Sequence, residues 1–91
     1  MKTLTKEEFI KENLVNCTEG FPYMLLDRMR SDCTYYIAYE KECNPEYNHL
    51  WAHHDPKAQI AYMRYIWEWL TEKPEWLTME EIDDLERRMF E

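Results

Sequence analysis

The chain has 91 residues, a formal net charge of −8 and an aromatic content of 15%. This length predicts a single domain over residues 1–91, and so many aromatic side chains exclude a disordered chain, which lacks the apolar area to offset its conformational entropy. The negative charge argues against direct binding to nucleic acid or to anionic membranes, since both need clustered lysine and arginine.

The cysteines and the N-terminal residues predict a reduced, soluble, cytoplasmic protein. Cys17, Cys33 and Cys43 are odd in number and lack CxxC spacing, so a disulfide framework is not expected. The first residues do not form a basic-then-apolar signal segment. No apolar run approaches the roughly 20 residues that a membrane span requires, so no membrane contact is predicted.

A first helix is predicted over residues 6–15. Thr5 and Glu8 have the spacing of a capping box, in which each side chain bonds to the backbone N–H of the other residue. The apolar stripe of this helix consists of Phe9, Ile10 and Leu14. Gly20 is the only glycine, and we expect it to adopt a left-handed turn past the helix end.

The second predicted helix starts at Pro22, because proline fits the first turn of a helix without loss of a hydrogen bond. One apolar face recurs at three- and four-residue steps and consists of Leu25, Leu26, Met29, Cys33, Tyr36 and Ile37. Cys33 is therefore predicted to be a small buried hydrophobe. Residues 35–37 also suit a strand, but the period favours a helix.

A long loop is predicted over residues 41–55, which have no sustained period and contain the turn signal Asn44-Pro45. Leu50 and Trp51 are expected to anchor this loop to the core. A loop of this length between two helices needs such anchors, since it has no regular structure of its own.

Asp55 and Pro56 predict the cap and the first residue of a third helix. Its predicted buried stripe consists of Ile60, Met63, Trp67 and Leu70, and the stripe is widened by Tyr62, Tyr65, Ile66 and Trp69. A helix that is apolar around most of its circumference is usually central in a fold. We therefore expect Trp67 in the middle of the core.

A fourth helix is predicted after the second capping box, Thr78 and Glu81, with Trp76 and Leu77 as a hydrophobic staple. Its apolar stripe consists of Ile82, Leu85 and Met89. Acidic residues lie in its first turn and arginines near its end, which suits the helix dipole. The predicted fold is all-α: a compact bundle of about four helices with one long loop between the second and third.

No catalytic residue and no cofactor are predicted. Nucleophilic catalysis needs a cysteine or serine beside a base, and neither Cys17 nor Cys43 has a histidine in a recognised motif. A single glycine cannot form a phosphate-binding loop. We therefore expect a protein that is not an enzyme.

The loop between the second and third helices carries the residues with metal-ligand chemistry: Cys43, His49, His53, His54 and Asp55. Structural zinc sites need four donors in a tetrahedron, usually from two paired halves, and the second half is missing here. No metal site is predicted, and a small metal-binding protein is the third alternative for function.

Several segments after Pro22 resemble a known family. The matching positions are LLDRMRSDC at 25–33, Tyr35, Tyr36, Leu50, Trp51, Gln59, Ile60, Met63, KPEWLT at 73–78, Glu80 and Ile82. In order and spacing they are similar to one of the large polyvalent protein-associated domains of phages and conjugative elements, over residues 22–90. The resemblance implies a small accessory module, fused into very large proteins or freestanding as here, without an assigned catalytic residue. His53 and His54 fall outside its pattern.

We expect a non-enzymatic module of a mobile genetic element that binds a protein partner. The polar run 27–32 has no evident structural task, and exposed tryptophans are frequent at interaction hot spots. The candidate partner-binding residues are Asp27, Arg28, Asp32, Trp51 and Trp69. Of the tryptophans, Trp51 and Trp69 are expected to be partly exposed. The alternative to partner binding for Asp27 and Arg28 is a structural role in which they pair with neighbouring helices.

The second alternative is an inhibitor of a host defence nuclease that mimics DNA with carboxylates. The residues that would form such a face are Glu80, Asp83, Asp84 and Glu91, with Glu7, Glu8 and Glu12. The alternative interpretation of the same residues is the solvated exterior of helices.

Overall fold

The third helix lies at the centre of the fold and contacts each of the other three α-helices. The computed structural model describes residues 3–43 and 48–91. Its elements in chain order are α1 Lys6–Asn13, α2 Phe21–Tyr35, a π-helix Tyr36–Glu40 that continues α2, α3 Pro56–Trp69 and α4 Met79–Phe90. The predicted all-α bundle with one long loop between the second and third helices is confirmed. The predicted turn Asn44-Pro45 lies outside the described residues.

Three of the four predicted helix starts are confirmed by side-chain cap hydrogen bonds. The Thr5 hydroxyl accepts from the Glu8 N–H, and the Thr78 hydroxyl accepts from the Glu81 N–H, both at 3.2 Å. In each case the glutamate carboxylate accepts from the N–H of the threonine. The Asp55 carboxylate accepts from the backbone of α3. Polar caps of this kind satisfy donors that a helix start otherwise leaves unpaired.

The N-terminal segment is attached to α3 through aromatic side chains. The rings of Phe9 and Tyr62 stack with centroids 4.6 Å apart, and Trp51 meets Phe9 edge-on at 6.2 Å. The Tyr62 hydroxyl accepts from the Leu4 N–H, and the Tyr65 hydroxyl donates to the Leu4 carbonyl. Trp51 therefore anchors the long loop to the core as predicted, together with the buried Leu50.

Trp67 does not occupy the middle of the core, which corrects the sequence-based prediction. It is partly buried and packs against the core, whereas Ile66 and Met63 are completely buried. The Trp67 indole N–H donates to the Leu77 carbonyl at 3.0 Å, and the Lys73 ammonium lies 4.8 Å from its ring centroid. A buried indole N–H needs a hydrogen-bond acceptor. For Trp67 this acceptor lies at the periphery of the core, in the segment that leads into α4.

Gly20 does not form the predicted left-handed turn. Its φ is −82°, and it begins α2 instead of ending α1, which stops at Leu14. The left-handed residues are His53 and His54, with φ of 54° and 66°. They form a turn in which the Asp55 N–H donates to the Ala52 carbonyl at 3.0 Å, a geometry that costs about 1–2 kcal/mol for each residue with a side chain.

The staple before α4 consists of Leu77 rather than Trp76. Leu77 and Ile82 are both buried in the core, whereas Trp76 is 38% exposed. The Trp76 ring instead lies under the Arg30 guanidinium, 5.1 Å from the ring centroid. Within the described parts of the chain, no helix has the length and apolarity needed to cross a membrane.

The buried amide of Gln59 connects three parts of the fold. Its side-chain oxygen accepts from the Ala52 N–H of the loop at 3.0 Å, and its side-chain nitrogen donates to the Met29 carbonyl of α2 at 3.2 Å. The side chain is fully buried. A single residue of α3 thus pairs the Ala52 N–H of the loop and adds a second hydrogen bond to a carbonyl inside α2.

Replacing Gln59 with methionine (Gln59→Met) should lower the free energy of unfolding by about 2 kcal/mol. The volume is nearly conserved, so the loss comes chiefly from the buried Ala52 N–H that is left unpaired, because the Met29 carbonyl keeps its bond within α2. Urea unfolding followed by tryptophan fluorescence measures it. The exposed neighbour variant Lys57→Met is the control, and an equally small effect of both changes would contradict the role of Gln59.

Candidate functional site

The predicted polar run on α2 is paired within its own helix. Arg30 bonds to the Asp27 carboxylate at 2.6 Å, and the Arg28 guanidinium lies 3.7 Å from the Asp32 carboxylate. Asp27 and Arg28 are exposed. Exposed pairs one turn apart contribute at most about 0.5 kcal/mol, so these residues stabilise α2 only slightly and face solvent.

Asp32 is the one member of the run that is mostly buried, and its side chain is 16% exposed. Burial raises the pKa of its carboxyl group, and the Arg28 guanidinium opposes this effect without cancelling it. Its Oδ2 atom is buried and forms no hydrogen bond. Burial thus disfavours the ionised carboxylate, although hydrogen bonding to the Trp51 backbone and to the Gln59 side chain partly opposes this effect on its pKa.

The five predicted partner-binding residues do not form one surface. Asp27, Arg28, Asp32 and Trp51 belong to α2 and the adjacent loop, whereas Trp69 lies at the end of α3 and lines a separate cleft. Trp51 is partly buried and Trp69 is 40% exposed, which confirms the expected partial exposure of both.

A groove of about 670 Å³ lies between α4 and the continuous α2–π-helix segment. Tyr35 and Tyr39 stand on one wall, 49% and 66% exposed, with ring centroids 5.0 Å apart. Leu77 and Leu85 belong to the other wall. We call this surface the tyrosine groove. The groove was not predicted from the sequence, although two tyrosines four residues apart and off the apolar face were the available signal.

The groove wall depends on the π-helix, which places Glu40 inside the protein. Glu40 is only 6% exposed. Its carboxylate accepts from the His49 backbone N–H at 3.2 Å and contacts the His49 Nδ1 at 2.5 Å. A buried carboxylate needs such partners, and this pair attaches the end of the π-helix to the long loop. No sequence pattern distinguished Glu40 from the exposed acidic residues.

The loop histidines have structural roles in the turn and at the π-helix. The His54 Nδ1 lies 2.6 Å from the Asn48 carbonyl oxygen, and the Asn48 side chain donates to the His54 carbonyl at 2.9 Å. Cys43 is exposed. Among residues 3–43 and 48–91, no three histidine, cysteine or carboxylate side chains converge as a metal site would require.

Cys33 is completely buried, as predicted from its position on the apolar face of α2. Burial, together with the nearby Asp32 carboxylate, raises the pKa of its thiol to about 12. Its sulfur lies 3.6 Å from the Met63 sulfur. The thiolate is the reactive form of cysteine, so this residue has the chemistry of a core side chain.

Several carboxylates of the predicted acidic face are paired with arginine. Arg64 contacts Asp83 at 2.6 Å and Glu86 at 2.9 Å. Hydrogen bonding to Arg64 lowers the pKa of Glu86. Arg87 contacts both Asp84 and Glu91. Arginine side chains therefore compensate part of the negative charge on the outer surface of α4.

Over its described residues, the structure defines this protein as a small all-α bundle of four α-helices. The family model of large polyvalent protein-associated domain 11 matches residues 19–89. The chain belongs to this family, whose domains are associated with phages and other mobile genetic elements. No curated protein and no solved structure matches the chain.

The Asp32→Asn variant should be more stable than the natural protein at about pH 7, because the ionised carboxyl group is disfavoured in the fold. A carboxyl group whose pKa is raised by folding stabilises the fold fully only below its ordinary pKa, and this contribution is lost as the pH rises through the raised value. The advantage of the variant should therefore shrink towards about pH 4.

Paired urea titrations across this pH range measure the difference. The exposed Asp27→Asn variant is the matched control and should show no such gain at neutral pH. If the gain in stability from Asp32→Asn is smaller at neutral pH than at acidic pH, folding does not raise the pKa of the Asp32 carboxyl group.

Proposed function

We propose that this chain is a non-enzymatic accessory module of a mobile genetic element and that it binds a protein partner through the tyrosine groove. The observation that carries the proposal is the pair Tyr35 and Tyr39, which expose large aromatic area above an apolar floor. Tyrosines bury much area with little loss of side-chain entropy, and they are enriched where partners bind tightly.

The two walls of the groove are joined at several points and are thus fixed before any partner arrives. At one place the Lys41 ammonium donates to the Arg88 carbonyl of α4 at 2.5 Å. At another, Arg30 of α2 covers Trp76, which leads into α4. Preformed surfaces lose less entropy on binding than mobile ones.

The chemistry of the groove suits binding rather than catalysis. Of its acidic residues, Glu81 caps α4 and Asp84 contacts Arg87 and Arg88. The Thr34 hydroxyl donates to the Arg30 carbonyl of its own helix. A catalytic group needs a base or nucleophile poised towards a substrate, and these side chains are instead engaged in local structure.

Inhibition of a host nuclease by DNA mimicry is less well supported. Of the seven carboxylates of the proposed face, Asp83, Asp84 and Glu91 contact arginine side chains. Neutralised carboxylates exert a weaker attraction on a basic DNA-binding groove. Binding to a protein partner through an aromatic surface is the function that the geometry favours.

The double variant Tyr35→Ala/Tyr39→Ala should lose its partner while it retains its fold. Removal of two central aromatic side chains typically costs at least about 2 kcal/mol of binding free energy, or roughly thirtyfold in affinity. The measurement is affinity capture from host cells, comparing recovered proteins between this variant and the natural chain.

The matched control is Met24→Ala/Phe90→Ala, which removes two side chains that are 70% and 48% exposed outside the groove. It should retain every protein that the natural chain captures. The proposal fails if both double variants capture the same proteins, or if deletion of the gene leaves transfer and establishment of the element unchanged.

A further inference from the structure

A second concave surface lies where the end of α1, the start of α2 and the end of α3 meet. It has a volume of about 430 Å³. The side chains that define its character are Val15, Tyr23, Trp69, Glu19 and Glu72, and we call it the Trp69 cleft. It shares no lining residue with the tyrosine groove.

The cleft exposes unusual apolar area for the surface of so acidic a protein. Val15 is 61% exposed and Trp69 is 40% exposed. Leu14 and Leu70 are buried beneath them, at the floor. An indole at the rim of a cleft offers both an apolar surface and a face that attracts cations.

The charge of the cleft is entirely negative. Glu19 and Glu72 belong to its lining, which includes no lysine, arginine or histidine. In the described part of the chain neither carboxylate forms an ion pair, whereas Asp83, Asp84 and Glu86 of α4 do. Negative charge without internal compensation is available to a cationic partner.

The neighbouring lysine is directed elsewhere. The Lys73 ammonium donates to the carbonyls of Trp67, Glu68 and Leu70 at the end of α3, at distances between 2.6 and 3.0 Å. It therefore compensates the exposed carbonyls of a helix end. This contact leaves the Glu72 carboxylate, one residue earlier, without a cation of its own.

The cleft is also preformed. The Tyr23 hydroxyl donates to the Glu72 carbonyl at 2.8 Å, which fixes the start of α2 against the segment after α3. The Cys17 thiol donates to the Leu14 carbonyl and closes the turn after α1. A ligand entering this cleft would not have to order its walls, which lowers the entropic cost of binding.

We infer that the Trp69 cleft binds a basic segment of another protein, which inserts one apolar side chain beside Trp69 and places lysine or arginine against Glu19 and Glu72. Apolar insertion supplies the affinity, and the carboxylates select for positive charge and accelerate association. This surface is additional to the tyrosine groove and does not depend on the function proposed for it.

The test uses a fluorescent peptide of alternating lysine and leucine, titrated with the full chain. The natural chain should bind it, and the indole N–H resonance of Trp69 should shift in NMR spectra. Trp69→Ala should weaken binding about tenfold. Glu19→Gln/Glu72→Gln should weaken it about five- to tenfold at low salt and should reduce its salt dependence.

The control Glu42→Gln/Glu80→Gln removes the same net charge at two exposed carboxylates outside the cleft and should bind as the natural chain does. Tyr35→Ala/Tyr39→Ala should also bind the peptide normally. Peptides with glutamate in place of lysine, or serine in place of leucine, should not bind. Absence of binding, an unmoved Trp69 resonance, or equal weakening by both charge variants would overturn the inference.

Discussion

The fold depends on the burial of α3, and the polar contact that makes this burial possible is the amide of Gln59. The surrounding helices and the long loop pack against α3 through apolar side chains, which are tolerant of small shifts. The Gln59 side chain is not tolerant, because it must meet the Ala52 N–H and the Met29 carbonyl at the same time. Hydrogen bonding of this kind fixes the positions of the loop and α2 relative to α3, and with them the wall of the tyrosine groove.

The helix starts were predictable because their signals are local. A threonine and a glutamate three residues apart satisfy each other's backbone groups whatever the rest of the chain does, and both such boxes, at Thr5 and Thr78, form as expected. The order of the four helices followed from the same signals together with apolar periodicity. The resemblance to the family was likewise predictable, since it rests on core and cap residues.

The predictions that failed concern features that tertiary contacts decide. Trp67 has the right spacing for the core centre, but its indole N–H bonds to Leu77, which is ten residues further on. The left-handed geometry expected at Gly20 occurs instead at His53 and His54, where the Asn48 side chain donates to the His54 carbonyl. The candidate surfaces were only partly predictable: Trp69 was identified, whereas Tyr35 and the buried Glu40 were not. Periodicity indicates which face of a helix is apolar, but not where two helices separate to leave a groove.

The turn at His53 and His54 has a consequence for how this fold can change. Two consecutive residues with side chains adopt a backbone geometry that glycine adopts freely, and the resulting strain is balanced by the bonds from Asn48 and by the cap of α3. The sequence of this turn thus departs from the one that would be most stable in its backbone geometry. Substitution of glycine at either position should stabilise the fold. This added stability would offset destabilising substitutions at the binding surfaces during evolution.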